Sequence, residues 1–270
     1  MAESRSLKKG WSDVRTIAYL TLDTLFWSKK TLFVMLLSVV VLGLAIVGRV
    51  VLTFNLVPTA LPSSQVFGTL MATAVIRFLV LFVTLFYGTA LISEEVEGKT
   101  LTYLFMRPIP KPTIMLGKFL ALTWIGSIMV LPTVMLSYLI LYLRSDMNPF
   151  FQDLGLLGRD IGIILLALLA YGSFFSLLGA WLKHSILVGL AYAFGWEGFV
   201  AVLPGFTRKL TITHYVQSVF PHQDTLGALS MLMGERTDPV EAIVTLVLLT
   251  TFFLATASLI LREKEYVLEQ

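Results

Sequence analysis

Six long apolar stretches, broken by short polar or proline-bearing segments, dominate the pattern of the chain. They cover roughly 32–53, 67–92, 113–143, 160–182, 185–203 and 240–261. A membrane-crossing helix needs about 20 mostly apolar residues, and each stretch meets or approaches that length. The third contains Pro132, which predicts a tilt or kink. The fifth is the shortest and carries Gly189, Gly195 and Gly198. Ahead of the first stretch, Trp11, Val14, Ala18, Leu22 and Leu25 share one helical stripe, while Asp13, Arg15, Thr16, Asp23 and Thr24 fall largely elsewhere. Trp27 and the Lys29–Lys30 pair follow at an interface-like position. This pattern predicts an amphipathic helix on the membrane surface, with a cap packed on the protein's own core as the simpler reading. The expected fold is therefore all-α and polytopic: residues 1–30 form a cytoplasmic N-terminus with an interfacial helix. Residues 31–261 form a six-span domain, and 262–270 a cytoplasmic tail.

Composition strengthens the membrane assignment. Of 270 residues, 57% are hydrophobic and 14% charged, and the mean hydropathy is +0.84. A soluble domain carries roughly 25% charged residues to face water. The absence of cysteine excludes disulfides, thiolate metal sites and cysteine nucleophiles. No cleavable leader is expected, because the first apolar run begins near Leu32 and no small-x-small site follows it. With the N-terminus inside, thirteen Lys and Arg fall on cytoplasmic segments and five on outer ones. That asymmetry predicts both termini in the cytoplasm. An outer segment, 204–239, precedes the last span. It holds two short apolar runs, 215–220 and 226–233, that read as half-helices.

The stretch from Ser93 to Pro112, SEEVEGKTLTYLFMRPIPKP, separates the second and third spans. It contains the Gly98-Lys99-Thr100 triplet found at the end of a phosphate-binding loop. The full pattern needs a glycine five positions earlier, after a strand. Here Ser93 stands in that place, Glu94, Glu95 and Glu97 repel a polyanion, and an apolar span precedes. Nucleotide binding at this loop is rejected. Instead, Gly98 permits a turn, and Leu101, Leu104 and Phe105 form one face of a short helix. Arg107 closes that helix, and Pro108, Pro110 and Pro112 force an extended exit. Taken alone, these residues fit a helix that docks in a partner's groove or a solvated loop with interfacial anchors.

The run LISEEVEGKTLTYLFMRPIPKPTIMLGKFLAL resembles the signature of ATP-binding-cassette permeases of the second (ABC-2) type. The matching features are the Glu94–Glu95 pair, the Gly98–Thr100 turn, Leu101 to Phe105, Arg107–Pro108, and Gly117–Lys118 opening the next span. About thirty residues carry the specificity, and the order of spans agrees with it. The resemblance implies a transmembrane subunit of an exporter. It also implies that Glu94, Glu95, Gly98, Leu101, Leu104, Phe105 and Arg107 form a coupling helix on a separate ATPase. Two ATPase subunits, carrying the ATP and Mg, and a second permease chain, same or different, would complete a complex in the cell inner membrane. Membrane lipids would be its surroundings, with no nucleic acid. The chain itself would hold no cofactor. Alternatives are an ATP-independent channel or secondary transporter, a membrane-embedded enzyme, and a non-transporting anchor on the same fold.

Two charges stand inside expected spans. Arg77 lies about ten residues, or roughly 15 Å, into the second span, and Glu197 about six residues, or roughly 9 Å, from the outer end of the fifth. Such a charge costs at least about 2.5 kcal/mol unless paired or hydrated. Both are expected to face the interior of a dimer, with mutual pairing weighed against separate pairing with backbone carbonyls or snorkelling through a water defect. Arg49 is expected to snorkel to headgroups, and Gly158–Gly162 offers a close helix contact. His214, His222 and Asp224 are spaced too loosely for a metal site, so satisfied interfacial histidines are expected and no metal. His184 sits in a tight inner turn and is expected to be solvated. No spacing of catalytic residues emerges, so no enzyme active site is expected.

Overall fold

In the computed structural model the described residues are 2–54, 62–97, 110–142, 147–200, 206–220 and 237–263. Among them there is no strand. Eight helices run in order. They are α1 (Ala2–Phe26), α2 (Lys29–Phe54) and α3, which passes through Ser63–Leu70, a π-helical Met71–Val80 and Leu81–Glu97. Next come α4 (Lys111–Tyr142) and α5 (Met147–Trp181). Then follow α6, made of Ser185–Ala191 and a π-helical Tyr192–Val200, and α7 (Ile212–Val219), preceded by the 3-10 turn Phe206–Leu210. The last is α8 (Pro239–Glu263). The all-α polytopic class is as expected.

Five helices, α2, α3, α4, α5 and α8, are long and apolar enough to cross a membrane; α6, at Ser185–Val200, is shorter. The expected span that falls short is thus the fifth, at 185–203. Two helices begin earlier than expected: α3 at Ser63, and α5 at Met147 within a stretch read as an outer loop. The expected half-helix at 215–220 is α7, which starts at Ile212. The run 226–233 lies outside the described residues.

The core sits between α3, α4 and α5. Val83, Leu85, Ile125, Val130, Leu168 and Phe175 are buried there at 1% exposure or less. Small residues allow the close approach. A Cβ at Gly88 of α3 would lie 2.8 Å from Phe175 Cβ, and one at Gly179 of α5 would lie 2.6 Å from the Thr89 carbonyl oxygen. Gly158 and Gly162 do not serve this purpose within the chain, since nothing lies within 4 Å of a Cβ at either. α2 and α8 are the least buried of the five, with Val39, Leu44, Val47, Leu248 and Phe252 exposed. Apolar exposure of this extent belongs on a lipid- or partner-facing surface. Pro132 sits inside an unbroken α4.

α1 combines the two readings of its sequence. Val14, Ile17 and Leu25 are buried, while Tyr19, Leu20, Phe26 and Trp27 are exposed. The buried side meets α4 so closely that a Cβ at Gly117 would stand 2.9 Å from the Val14 carbonyl oxygen and 3.0 Å from Ile17 Cβ. The side chain of Trp11 lies outside the described residues. The α1–α2 corner is locked by Thr31, whose hydroxyl donates to the Leu25 carbonyl (2.8 Å). That leaves Tyr87 of α3 as the donor in the 2.9 Å bond between the two hydroxyls.

Candidate functional site

Glu197 is 4% exposed. Its place in the π-helical part of α6 aims the carboxylate at the N-terminus of α7. There the first backbone N–H groups have no intrahelical partner and the helix dipole is positive. Oε1 accepts from Ile212 N (2.9 Å) and from the Tyr192 hydroxyl (2.7 Å). Oε2 accepts from Thr213 N (3.2 Å) and, in a short bond, from the Thr213 hydroxyl. A carboxylate has about four lone-pair sites, so this one is saturated. Because Thr213 donates to Glu197, the Tyr171 hydroxyl of α5 is left as donor to Thr213 (2.7 Å). The buried carboxylate is thus satisfied by oriented hydroxyl and backbone dipoles.

Arg77 stands across from it, on the π-helical part of α3, and is half-buried. With the Gln217 amide oriented so that its oxygen faces the guanidinium, that oxygen accepts from Arg77 Nε (3.0 Å) and Nη2 (3.3 Å). Among the described residues no carboxylate forms an ion pair with Arg77. The geometry is neither mutual pairing nor pairing with backbone carbonyls: each charge has its own partners, Arg77 the Gln217 amide and Glu197 the start of α7 with Tyr192. Both residues nevertheless line one cavity of about 170 Å³, between the π-helical parts of α3 and α6, with Thr213 at one wall. Phe78, Leu81, Phe82 and Phe194 supply its apolar sides. π-Helical turns are rare and frequently mark functional positions. Here two of them face one cavity and each contributes a charged side chain.

α7 is tied to its neighbours on every side. Thr211 caps it, its hydroxyl oxygen accepting from His214 N (3.3 Å). His214 Nε2 bonds the Thr237 hydroxyl (3.0 Å), just before α8, and Ser218 donates to the His214 carbonyl (2.8 Å) while accepting from Thr237 N (3.4 Å). Burial, then the Arg208 and Lys209 charges, hold the His214 imidazole below its usual value of 6.5. Burial and the nearby Arg77 charge likewise lower the Arg208 guanidinium. Three cations therefore gather at this end of the molecule. His222 and Asp224 lie outside the described residues, and among the described residues no metal-binding cluster of three or more His, Asp or Glu occurs.

At the opposite end, the helices flanking residues 98–109 are fixed to the body. Lys118, 2% exposed, donates from Nζ to the Leu91 carbonyl of α3 (2.7 Å). Lys111 Nζ donates to the Arg262 carbonyl at the end of α8 (3.0 Å). Of the expected coupling residues, Gly98, Leu101, Leu104, Phe105 and Arg107 lie outside the described residues. Glu94 and Glu95 fall in the last turns of Leu81–Glu97, with their side chains outside the description. The family profile described as "ABC-2 family transporter protein" matches residues 27–265. The chain belongs to the ABC-2 transporter family. It is a permease of an ABC transporter and a multi-pass membrane protein. A comparison with curated proteins finds no significant match.

Sequence reasoning placed Arg77 and Glu197 in the membrane but missed what surrounds them in the permease. Tyr192, Thr213 and Gln217 carry no motif. The available signal was the need of Glu197 for donors, together with the polar positions of the run TITHYVQS, 211–218. Arg49 also has a partner that the sequence did not name. Its Nη1 donates to the Leu141 carbonyl (2.9 Å), so it caps the C-terminal end of α4, where a cation meets the negative end of the dipole.

Proposed function

We propose that the permease forms, with a second permease chain, the translocation pathway of an exporter driven by two separate ATPase subunits. The observation that carries this reading is the family match over 27–265. The loop 93–112 is the coupling helix: Glu94 and Glu95 meet basic groups of the ATPase, Leu101, Leu104 and Phe105 enter its groove, and Gly98 and Arg107 bound the helix. ATP and Mg are held by the partner, both termini are cytoplasmic, and the complex sits in the cell inner membrane. The anchoring of the flanks supports a mechanical role. A push on the loop passes to α3 through Lys118, to α8 through Lys111, and to α1 through the Gly117 contact. Buried side-chain contacts of this kind transmit displacement because packed interiors deform little. A Leu104→Ala/Phe105→Ala double variant tests it: the complex assembles, while ATP hydrolysis no longer drives transport. Normal coupling in that variant would remove the loop from the mechanism.

A further inference from the structure

We propose that the cavity between the π-helical parts of α3 and α6 binds an anionic amphiphile, whose single phosphate or carboxylate head is held by Arg77. This deepens the permease reading by naming a ligand class, and it rests on that reading. The choice of charge follows from how the two ions are satisfied. Glu197 has all four acceptor sites filled by Ile212, Thr213 and Tyr192, so it offers nothing to a cation. A guanidinium has five N–H donors. Gln217 takes two of them, and among the described residues the other three meet no acceptor. Arg77 is therefore the group in the cavity with unused binding capacity, in a fork that matches phosphate and carboxylate oxygens.

The positive charge of Arg208, close enough to interact with Arg77, adds to the preference for an anion. The apolar part of the ligand follows from the walls. Phe78, Leu81, Phe82 and Phe194 line the remainder, and Phe78 and Phe194 are 50% and 62% exposed, so the cavity reaches the surface of the chain. Its volume of about 170 Å³ is roughly ten times the 10–15 Å³ that one water requires. That admits a head group and the first part of a chain lying against the phenylalanines. A free inorganic anion would leave those walls uncovered, and an uncharged chain would leave the guanidinium donors unmatched.

The test uses the full-length permease in phosphatidylcholine nanodiscs without nucleotide, titrated with dodecyl phosphate, dodecanol, dodecyltrimethylammonium and inorganic phosphate. Dodecyl phosphate is expected to bind saturably and far more tightly than the other three. Arg77→Gln should weaken it on the order of 10- to 100-fold, the range for losing a charged hydrogen-bonded pair, with Arg77→Lys between the two. Gly198→Phe is a second variant, which keeps Arg77 and fills the space. Gly198 lines the cavity, and a Cβ there meets only the Ala193 carbonyl oxygen at 3.6 Å. It too should weaken binding at least tenfold. Unchanged affinity in folded Arg77→Gln, or in Gly198→Phe should Arg77→Gln not fold, overturns the proposal. Equal binding of the cationic or uncharged chain does so as well. Binding read without nucleotide is independent of ATPase co-purification, so either reading fails without the other.

Discussion

Glu197 is a sharp point of test for the part of the structure around α7, because its removal uncovers donors that have no alternative. In Glu197→Ala the hydroxyls of Tyr192 and Thr213 can turn elsewhere, but the N–H groups of Ile212 and Thr213 are fixed by the first turn of α7 and buried. A buried unsatisfied group costs about 1–3 kcal/mol, so the two together cost about 2–6 kcal/mol. In Glu197→Gln one acceptor oxygen remains and the amide nitrogen faces the other donors, so the loss is roughly half. At about 2–4 °C per kcal/mol for a chain of this size, Glu197→Ala should lower Tm by roughly 4–24 °C. Glu197→Gln should fall between that and wild type. Thermal unfolding of the purified permease in a neutral detergent gives the order directly. A Glu197→Ala variant within about 1 °C of wild type, or a glutamine variant less stable than the alanine one, would refute the capping account.

Three further outcomes follow from other positions. Gly117→Val drives a side chain into the Val14 carbonyl and Ile17, and should cost about 1–3 kcal/mol as overpacking and release α1 to proteolysis. Gly43→Ala, where nothing lies within 4 Å, should instead be neutral or stabilising by up to about 1 kcal/mol. His214 is held below its ordinary value of 6.5 in the folded state, so the unfolded chain binds its proton more readily. Stability is then full above about pH 6.5 and declines as pH falls toward the folded value. In His214→Gln that acid-side slope of Tm between about pH 7 and pH 5 should be shallower.

The long helices were legible because about twenty apolar residues in a row admit few other structures. The stripe of α1 was legible in register, since Val14, Leu22 and Leu25 do turn inward. What the pattern did not carry was identity of partner. Gly88 and Gly179 look no different in sequence from Gly158 and Gly162, yet only the first pair is crossed by a neighbouring helix. Arg49 and Arg77 likewise share a chemistry, and only the fold decides that one caps Leu141 and the other meets Gln217. The start of α5 at Met147 was hidden because Asn148, Pro149, Gln152 and Asp153 interrupt its first apolar turns and read as loop. Glu197 was flagged by cost alone. Its solution, a helix N-terminus fifteen residues ahead in the chain, depends on a chain reversal that hydropathy does not record.

The central claim is that this permease works through a separate ATPase seated on residues 93–112. Affinity purification of the full chain from native membranes, with mass spectrometry of what accompanies it, tests that claim most directly. An ATPase subunit with a complete phosphate-binding loop should co-purify, and Glu94→Lys/Glu95→Lys should release it while the permease stays folded. A chain that purifies alone and moves solute across liposomes without ATP would contradict the account.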